Sequence, residues 1–549
     1  MNLKIQAFLV YLSLLTFACT TPAEEQSESL LSEARYAQTL ETLSSDAFMG
    51  RLPMSEGEEI TVNYLVEQFK AIGLEPGNGD SFIQEVPLTS INGNPAAQMS
   101  VRDAKGNEMI LDFGLDYSAM TDRFDEIISL NNSEVVFAGF GIVAPEYGWN
   151  DYEGLDVKGK TVLVLVNDPG FGTDDPSFFR GNTMTYYGRW TYKYEEAARH
   201  GAEGVIIIHN TIAAGYGWNV VNNNGKGRRL VLDTRNSDAF RPALKGWITG
   251  EAARKMFEMA GMKNYDYLGA ARSQGFKAQP LGLRISTELR NEANFNQSKN
   301  VIAKITGSTY PNEYIIYTAH WDHLGIGVPV NGDSIYNGAA DNGTGTAGLI
   351  EMARAFKASG KAPERTVVFL AVTAEEQGLL GSAWYGDNPI YPTEQTVANL
   401  NIDMLTPIGP TKDLIVIGFG QSQLDDWVEE IASTQGRYVV PDRSPEKGFF
   451  FRSDHFNFAR VGIPALFLGS GWDHTEQGMD YGKQKADEFT AKNYHQPSDE
   501  FDRATWDLRG IMQDLELYYM LGEKLANSRE WPEWKEGSEF KALRKRQSR

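Results

Sequence analysis

Five short segments in the second half of this chain bring together side chains that could do chemistry. They read AHWDH from Ala319, GAADNGTG from Gly338, TAEEQG from Thr373, NIDM from Asn401 and YHQPSDE from Tyr494. Their potential donors are His320, Asp341, Glu375, Glu376, Asp403 and His495. One Asp able to bridge two cations, a His and a carboxylate for each cation, and a spare Glu make a complete hydrolytic centre. Taken singly, each residue is ordinary. A loop Asp or His usually caps or faces solvent, and a Glu pair is usually solvated charge. Their order along the chain, mostly at the ends of apolar runs, is what gives them meaning together.

The donor types narrow the ion. Two imidazoles and three carboxylates without a thiolate suit Zn²⁺, with Mn²⁺ or Co²⁺ as alternatives, whereas Ca²⁺ or Mg²⁺ would favour oxygen alone. A bridging carboxylate would hold two ions about 3.5–4 Å apart. Adjacent side chains at a strand end diverge, so Glu376 is read as a metal donor and Glu375 as the general base. Glu375 would take a proton from water and pass it to the leaving amine. Asp322, two residues after His320, is placed to sit behind that imidazole and fix its tautomer. Asp499 is placed behind His495 in the same way.

Regular alternation of strand and helix must position these residues. Strands are expected at Val301–Ile305, Glu313–Thr318, Thr366–Val372, Val397–Asp403, Leu414–Ile417 and Ala465–Leu468, and helices at Thr346–Ala358, Gln423–Thr434 and Arg503–Ala526. That order predicts an α/β fold with a mostly parallel, mixed sheet and helices on both faces. Open sheets of this kind place ligands at the carboxyl ends of their strands, where His320, Glu375 and Asp403 fall. Upstream, helical patterns cover Leu31–Leu43 and Glu58–Ile72, with Gly73 as a stop signal. Strand-like runs follow at Phe82–Leu88 and Met109–Phe113. A buried-strand run at Lys160–Val166, a helix at Tyr192–His200 and a strand at Gly204–His209 form a β-α-β unit. His200 and His209 in that unit read as structural.

At 549 residues the chain exceeds one compact core. Its formal charge of −22 excludes nucleic-acid binding, which needs a basic face to neutralise phosphates. The basic end Arg544-Lys545-Arg546 reads as a solvated tail. The single cysteine, Cys19, rules out internal disulfides and follows the apolar run Ile5–Phe17. A Lys-bearing start, a short apolar run and a small residue before the break read as a secretory signal over residues 1–19. That run is shorter than the about 20 residues of a membrane span. Export to the cell envelope or outside the cell is the expectation. No His is followed by Glu and no Gly-x-Ser-x-Gly occurs, which excludes a helical His-Glu-x-x-His protease and a nucleophile elbow.

Three resemblances add to this reading. Leu15-Thr16-Phe17-Ala18-Cys19 resembles a bacterial lipoprotein cleavage box, which implies a lipid anchor on Cys19 as the chain's membrane contact. About Ser133 to Arg272 resembles the protease-associated domain, a strand-rich insert that serves as lid or substrate access in secreted peptidases. The five segments resemble the co-catalytic zinc aminopeptidase family, which includes glutamate carboxypeptidase and glutaminyl cyclases. This implies an aminopeptidase-like fold with two Zn²⁺ per chain acting on peptides. It further implies Asp341 as the bridge, His320 paired with Asp403, His495 paired with Glu376, Glu375 as base and Asp322 in support. The domain expectation is 30–130 for the N-terminal peptidase portion, 133–272 for the insert, 280–530 for the catalytic part and 531–549 for a tail. His323 stands where many members have Ser and is read as supporting or substrate-facing, outside the ligand set. His455 is read as either substrate-facing or structural, and His474 is left without a role. An aminopeptidase is the leading expectation. A carboxypeptidase would need cations for the substrate carboxylate, with Arg443 and Arg452 in the plausible region. A one-zinc cyclase-like transferase and a receptor-like binding protein are the remaining alternatives.

Overall fold

The structure, a computed structural model, describes residues 30–544 apart from Lys226. The expected signal segment with Cys19 and Lys545–Arg546 of the basic end lie outside the described residues. Among the described residues no helix is long and apolar enough to cross a membrane.

One strand, Gln279–Ile305, ties the molecule together over 27 residues. Its start pairs antiparallel with Gln98–Asp103 and Ile127–Phe137, and its middle with Ile83–Pro95. Its last residues, Val301–Ile305, pair antiparallel with Arg365–Val372. From there the sheet continues in parallel through Tyr310–His320, Thr396–Asn401 and Ala465–Ser470. Asp413–Val416 then pairs antiparallel with Ala465–Ser470 and parallel with Tyr438–Pro441. The expected mixed, mostly parallel sheet is therefore present.

Alternation along these strands builds two apolar layers. Val367, Phe369 and Ala371 face a core shared with Leu40, Leu65, Leu349 and Leu521 from four helices, Glu33–Leu43, Glu56–Ile72, Thr344–Ala358 and Arg509–Ala526. Val368, Leu370 and Val372 face Tyr385, Phe458 and Ile463 on the other side. Strands buried on both faces read as continuous apolar runs, which is why they were legible. Gly73 ends its helix at φ 82°, with its N–H donating to Lys70 O.

The second lobe has a smaller parallel sheet: Ile127–Phe137, Thr161–Leu165, Gly204–Ile208 and Leu244–Ile248. Val162 and Val164 face Tyr194 and Ala197 of helix Trp190–Arg199. Leu163 and Leu165 face Ala252 and Met256 of helix Gly250–Met259. The apolar cluster of this lobe runs from Met99 to Leu289, so it draws in strands on both sides of residues 133–272. The two lobes touch where Met184 N–H donates to Pro445 O at 3.1 Å and the Tyr186 ring lies 5.1 Å from that of Phe456.

Several helices depart from the sequence expectation, among them Gly250–Met259 and Leu380–Asp387, which it does not contain. The helix expected from Arg503 starts at Arg509, because Asp502 accepts from Ala504 N–H and the Thr505 hydroxyl and closes a turn there. Helix Gly478–Lys492 was not read at all. Gly482 is its one buried residue, so it has no apolar stripe to read.

Helix Arg509–Ala526 seats directly on the sheet. The Tyr317 hydroxyl donates to Tyr518 O at 2.7 Å, and a Cβ on Gly522 would stand 1.7 Å from that hydroxyl. Tyr317 is fully buried and tethered, so it has no room to yield. Gly522→Ala should destabilise the fold by about 1–3 kcal/mol, read as a lowered urea midpoint.

Candidate metal centre

Register decides the geometry of the site. Strand Tyr310–His320 lies between Arg365–Val372 and Thr396–Asn401, parallel to both, with His320 opposite Val372 and Thr318 opposite Asn401. Their carboxyl ends therefore stop together, and His320, Glu375–Glu376 and Asp403 emerge side by side. The chain then turns sharply. Ala374, Met404 and His495 all adopt left-handed φ, at 53°, 48° and 57°. Such backbone is uncommon for residues with a side chain and clusters at functional sites. Asp341 sits in the loop ahead of helix Thr344–Ala358, its peptide to Asn342 being cis. His495 follows helix Gly478–Lys492.

The structure brings every expected donor together. His320 Nε2 stands 3.2 Å from Asp403 Oδ1 and 3.3 Å from Asp341 Oδ1. His495 Nε2 stands 3.2 Å from Asp341 Oδ2 and 3.1 Å from Glu376 Oε2. Asp341 thus divides its two oxygens between two imidazole–carboxylate groups. Glu375 Oε2 is 3.9 Å from His320 Nε2. Two trios have donor atoms within 4.8 Å of one another: His320–Glu375–Asp403 and His323–Asp341–Glu376. The second contains His323, which the sequence reading kept outside the ligand set.

Around these donors the polar contacts are dense. His320 Nδ1 donates to the backbone carbonyl of Asp322 at 3.2 Å, which leaves Nε2 for the centre. The Asp322 carboxylate instead accepts the N–H groups of Glu375 and Glu376, at 3.0 and 3.4 Å. Asp322 therefore orients both His320 and the Glu pair. Asp499 is not behind His495 as expected. It accepts from Ala340 N–H at 3.0 Å and Asp341 N–H at 3.1 Å, because the Gly338 loop folds across it. Ser453 Oγ donates to Asp403 Oδ2 at 2.5 Å. Asn342 binds Ile402 O and accepts from Met404 N–H, joining the Asp341 loop to the Asp403 strand.

Arg51 was missed from sequence, since a lone Arg after Gly50 carries no pattern. It is 1% exposed and donates to Trp321 O, Leu43 O, Asn337 O and Gly338 O at 2.6–2.9 Å. One guanidinium thus braces the His320 loop and the Asp341 loop against the N-terminal helix. Burial lowers its pKa to about 10, with Asp499, Asp322 and Asp341 pulling the other way.

Burial also shapes the carboxyls. It pushes Asp322 up to about 7, and Glu375 well above its usual range with repulsion from Asp403 and Glu376 added. Asp341 is held well below its usual range, because contacts with His320 and His495 outweigh its burial. This mixed nitrogen and oxygen set, buried and acidic, fits divalent cations of the zinc type. Bound cations would relieve the repulsion that raises Glu375.

Fold and site together define an α/β protein with a paired imidazole–carboxylate centre at the carboxyl end of its sheet. Residues 300–520 match the family described as Peptidase family M28, and the chain carries a domain of that family. Among curated relatives, aminopeptidase NAALADL1 of Mus musculus is 32% identical over 23% of this chain and 16% of its own length. A protein named "Probable zinc metalloprotease" in Pyrenophora teres f. teres is 30% identical over 33% of this chain and 34% of its own. Leupeptin-inactivating enzyme 1 of Streptomyces exfoliatus is 30% identical over 36% of this chain and 42% of its own. The chain thus spans less than half the length of these relatives. An aminopeptidase from Aneurinibacillus sp. strain AM-1 aligns over 91% of this chain and 95% of its own, at TM-score 0.49 and 19% identity.

The other histidines have structural partners or none. His200 Nε2 meets Glu196 at 3.1 Å and its ring stacks on Tyr152, while His209 meets Tyr216 O. His474 Nδ1 accepts from Glu476 and Gln477 N–H and caps a turn. His455 is fully buried between Phe450 and Phe467. Burial pushes its pKa down to about 3. A histidine lowered by folding costs nothing above its unfolded pKa of about 6.5 and costs stability as pH falls below it. The wild-type protein should therefore lose about 2 kcal/mol more between pH 7 and pH 5 than His455→Leu, measured by urea unfolding at both pH values.

Proposed function

We propose that this chain is a zinc-dependent exopeptidase that releases N-terminal residues of peptides. The observation that carries this reading is the division of Asp341 between two groups, Oδ1 towards His320 and Oδ2 towards His495. That is the arrangement a bridging carboxylate needs. His320, Asp341 and Asp403 would hold one ion, and Asp341, Glu376 and His495 the other. Relatives named as an aminopeptidase and a zinc metalloprotease support the same class and ion.

When bound, the ions would supply Lewis-acid polarisation of the scissile carbonyl and acidify water. The chain's own groups do the rest. Glu375, beside His320 and held by the Asp322 contact to its N–H, takes the proton from water and delivers it to the leaving amine. Asp322, through its carbonyl, keeps the His320 Nε2 lone pair facing the centre. Left-handed backbone at Ala374 aims the Glu pair so that its two members act separately. The second lobe, proposed here as a protease-associated insert, meets the catalytic lobe at its seam, Met184 on Pro445 and Tyr186 on Phe456. We place the protein outside the cytoplasm, with Cys19 as its lipid anchor, on the sequence of its first residues.

One observation favours a second reading, the carboxypeptidase. Arg443 is engaged by Asp413 at 2.6 Å and is spent. Arg452 forms no ion pair among the described residues, donates to Lys447 O at 2.7 Å, lies near Asp442 and Tyr494, and adjoins Ser453 of the centre. Half-buried Arg189 of the second lobe faces it, and its guanidinium has no hydrogen bond or ion pair among the described residues. Two neighbouring guanidinium groups without an ion pair among the described residues, one of them next in sequence to Ser453, suit a substrate carboxylate.

Two measurements test these readings. Glu375→Gln should lower kcat at least a hundredfold while metal content by elemental analysis stays near two per chain. Wild-type turnover in that variant would remove Glu375 as the base. Aminoacyl substrates with a free amine should be cleaved in preference to N-blocked peptides with a free carboxylate. The opposite preference, abolished by Arg189→Met with Arg452→Met, would establish the carboxypeptidase.

A further inference from the structure

His323 is a buried imidazole beside the donor set that the proposed mechanism leaves unused. It is 0% exposed, and its Nδ1 stands 2.6 Å from Glu376 Oε1. That close approach is an ion-pair contact, and neither imidazole nitrogen nor Glu376 Oε1 has a hydrogen-bond partner among the described residues. An imidazole enclosed in protein without a partner is costly, so a ring in this position calls for a role.

The ring is held in place from several sides. Its backbone N–H donates to Arg51 O at 3.2 Å, in the segment that braces both donor loops. Gly338, at φ 55°, passes over the ring edge so closely that a Cβ there would stand 2.4 Å from His323 Cγ. On another side the ring meets that of His495 edge to face at 5.8 Å. Glu376, meanwhile, offers its two oxygens to different neighbours, Oε1 to His323 and Oε2 to His495.

We infer that His323 is a positioning residue that holds Glu376 Oε1 and so leaves Oε2 as the single oxygen available to the second ion. The inference rests on the reading of this site as a metal centre. A carboxylate free to swing would present either oxygen or both. One fixed at Oε1 presents Oε2 at the point where His495 and Asp341 Oδ2 converge. Partners behind a metal ligand commonly change affinity 10–100-fold when removed. His320 and Asp403 do not touch this ring, so the first ion should be indifferent to it.

The experiment strips the full-length protein of metal and titrates it with Co²⁺ against a competing chelator, following visible absorption. Wild type, His323→Ala and His323→Asn are compared, with melting temperature recorded for each. The Asn amide can place an N–H near the position of Nδ1. His323→Ala should weaken the second equivalent about 10–100-fold and leave the first unchanged. His323→Asn should recover most of that loss, which a purely structural role would not produce. If His323→Ala does not fold, His323→Leu fills the ring volume without a donor and takes its place. Equal affinity in the variant without a donor would overturn the inference. A loss that Asn does not recover, with a change in the Co²⁺ absorption bands, would overturn it in favour of direct coordination by His323. A wild-type protein that binds no second equivalent would instead remove the metal-centre reading itself.

Discussion

The structure is organised around a concentration of buried negative charge. Asp322, Asp341, Glu375, Glu376, Asp403, Asp454 and Asp499 gather at the carboxyl ends of three adjacent parallel strands, under a largely apolar sheet. Carboxylates do not stay charged in such a place without compensation. Much of the local architecture supplies it. Backbone N–H groups of Ala340, Asp341, Glu375 and Glu376 are turned towards Asp499 and Asp322, and the Ser382 and Ser453 hydroxyls donate to Asp454 and Asp403. Arg51 places a buried cation behind both donor loops. Divalent ions at the centre would complete the balance.

This constraint explains why the irregular backbone is local. The strands entering the site are regular and buried on both faces, and three of the segments leaving or following them pass through left-handed residues, at Ala374, Met404 and His495. A rigid sheet fixes the starting points and short strained turns aim the side chains, which is how a donor set is held within a narrow geometry. Asn342 and Thr344 then stitch the Asp341 loop to the strand bearing Asp403. Removing one donor would therefore disturb its neighbours, since the loops share hydrogen bonds.

The role of the second lobe follows from its attachment. It does not hang from a flexible linker. The long strand Gln279–Ile305 runs from one lobe into the other, and the 183–188 segment docks on the chain just ahead of Ser453. A lobe anchored at both places can bring side chains such as Arg189 against Arg452 of the catalytic lobe without being part of the donor set. The Arg189–Arg452 pair arises from this meeting of lobes and from no motif.

Much of this was open to reading from the residues. The strands before His320, Glu375 and Asp403 are apolar on both faces, so they stand out as runs, and their order implies a parallel sheet with the donors at one edge. Local chemistry, such as the donor types and the Gly73 stop, is likewise written in neighbours along the chain. What the chain order could not carry was contact between distant segments. Asp499 met Asp341 rather than His495, His323 closed on Glu376, Arg51 reached across some 270 residues to Trp321, and His455 turned inward between Phe450 and Phe467. By itself the sequence determined which atoms could bind an ion, because donor chemistry belongs to the residue. Tertiary structure alone decided which donors share a point in space, because that depends on strand register and on how loops fold over one another.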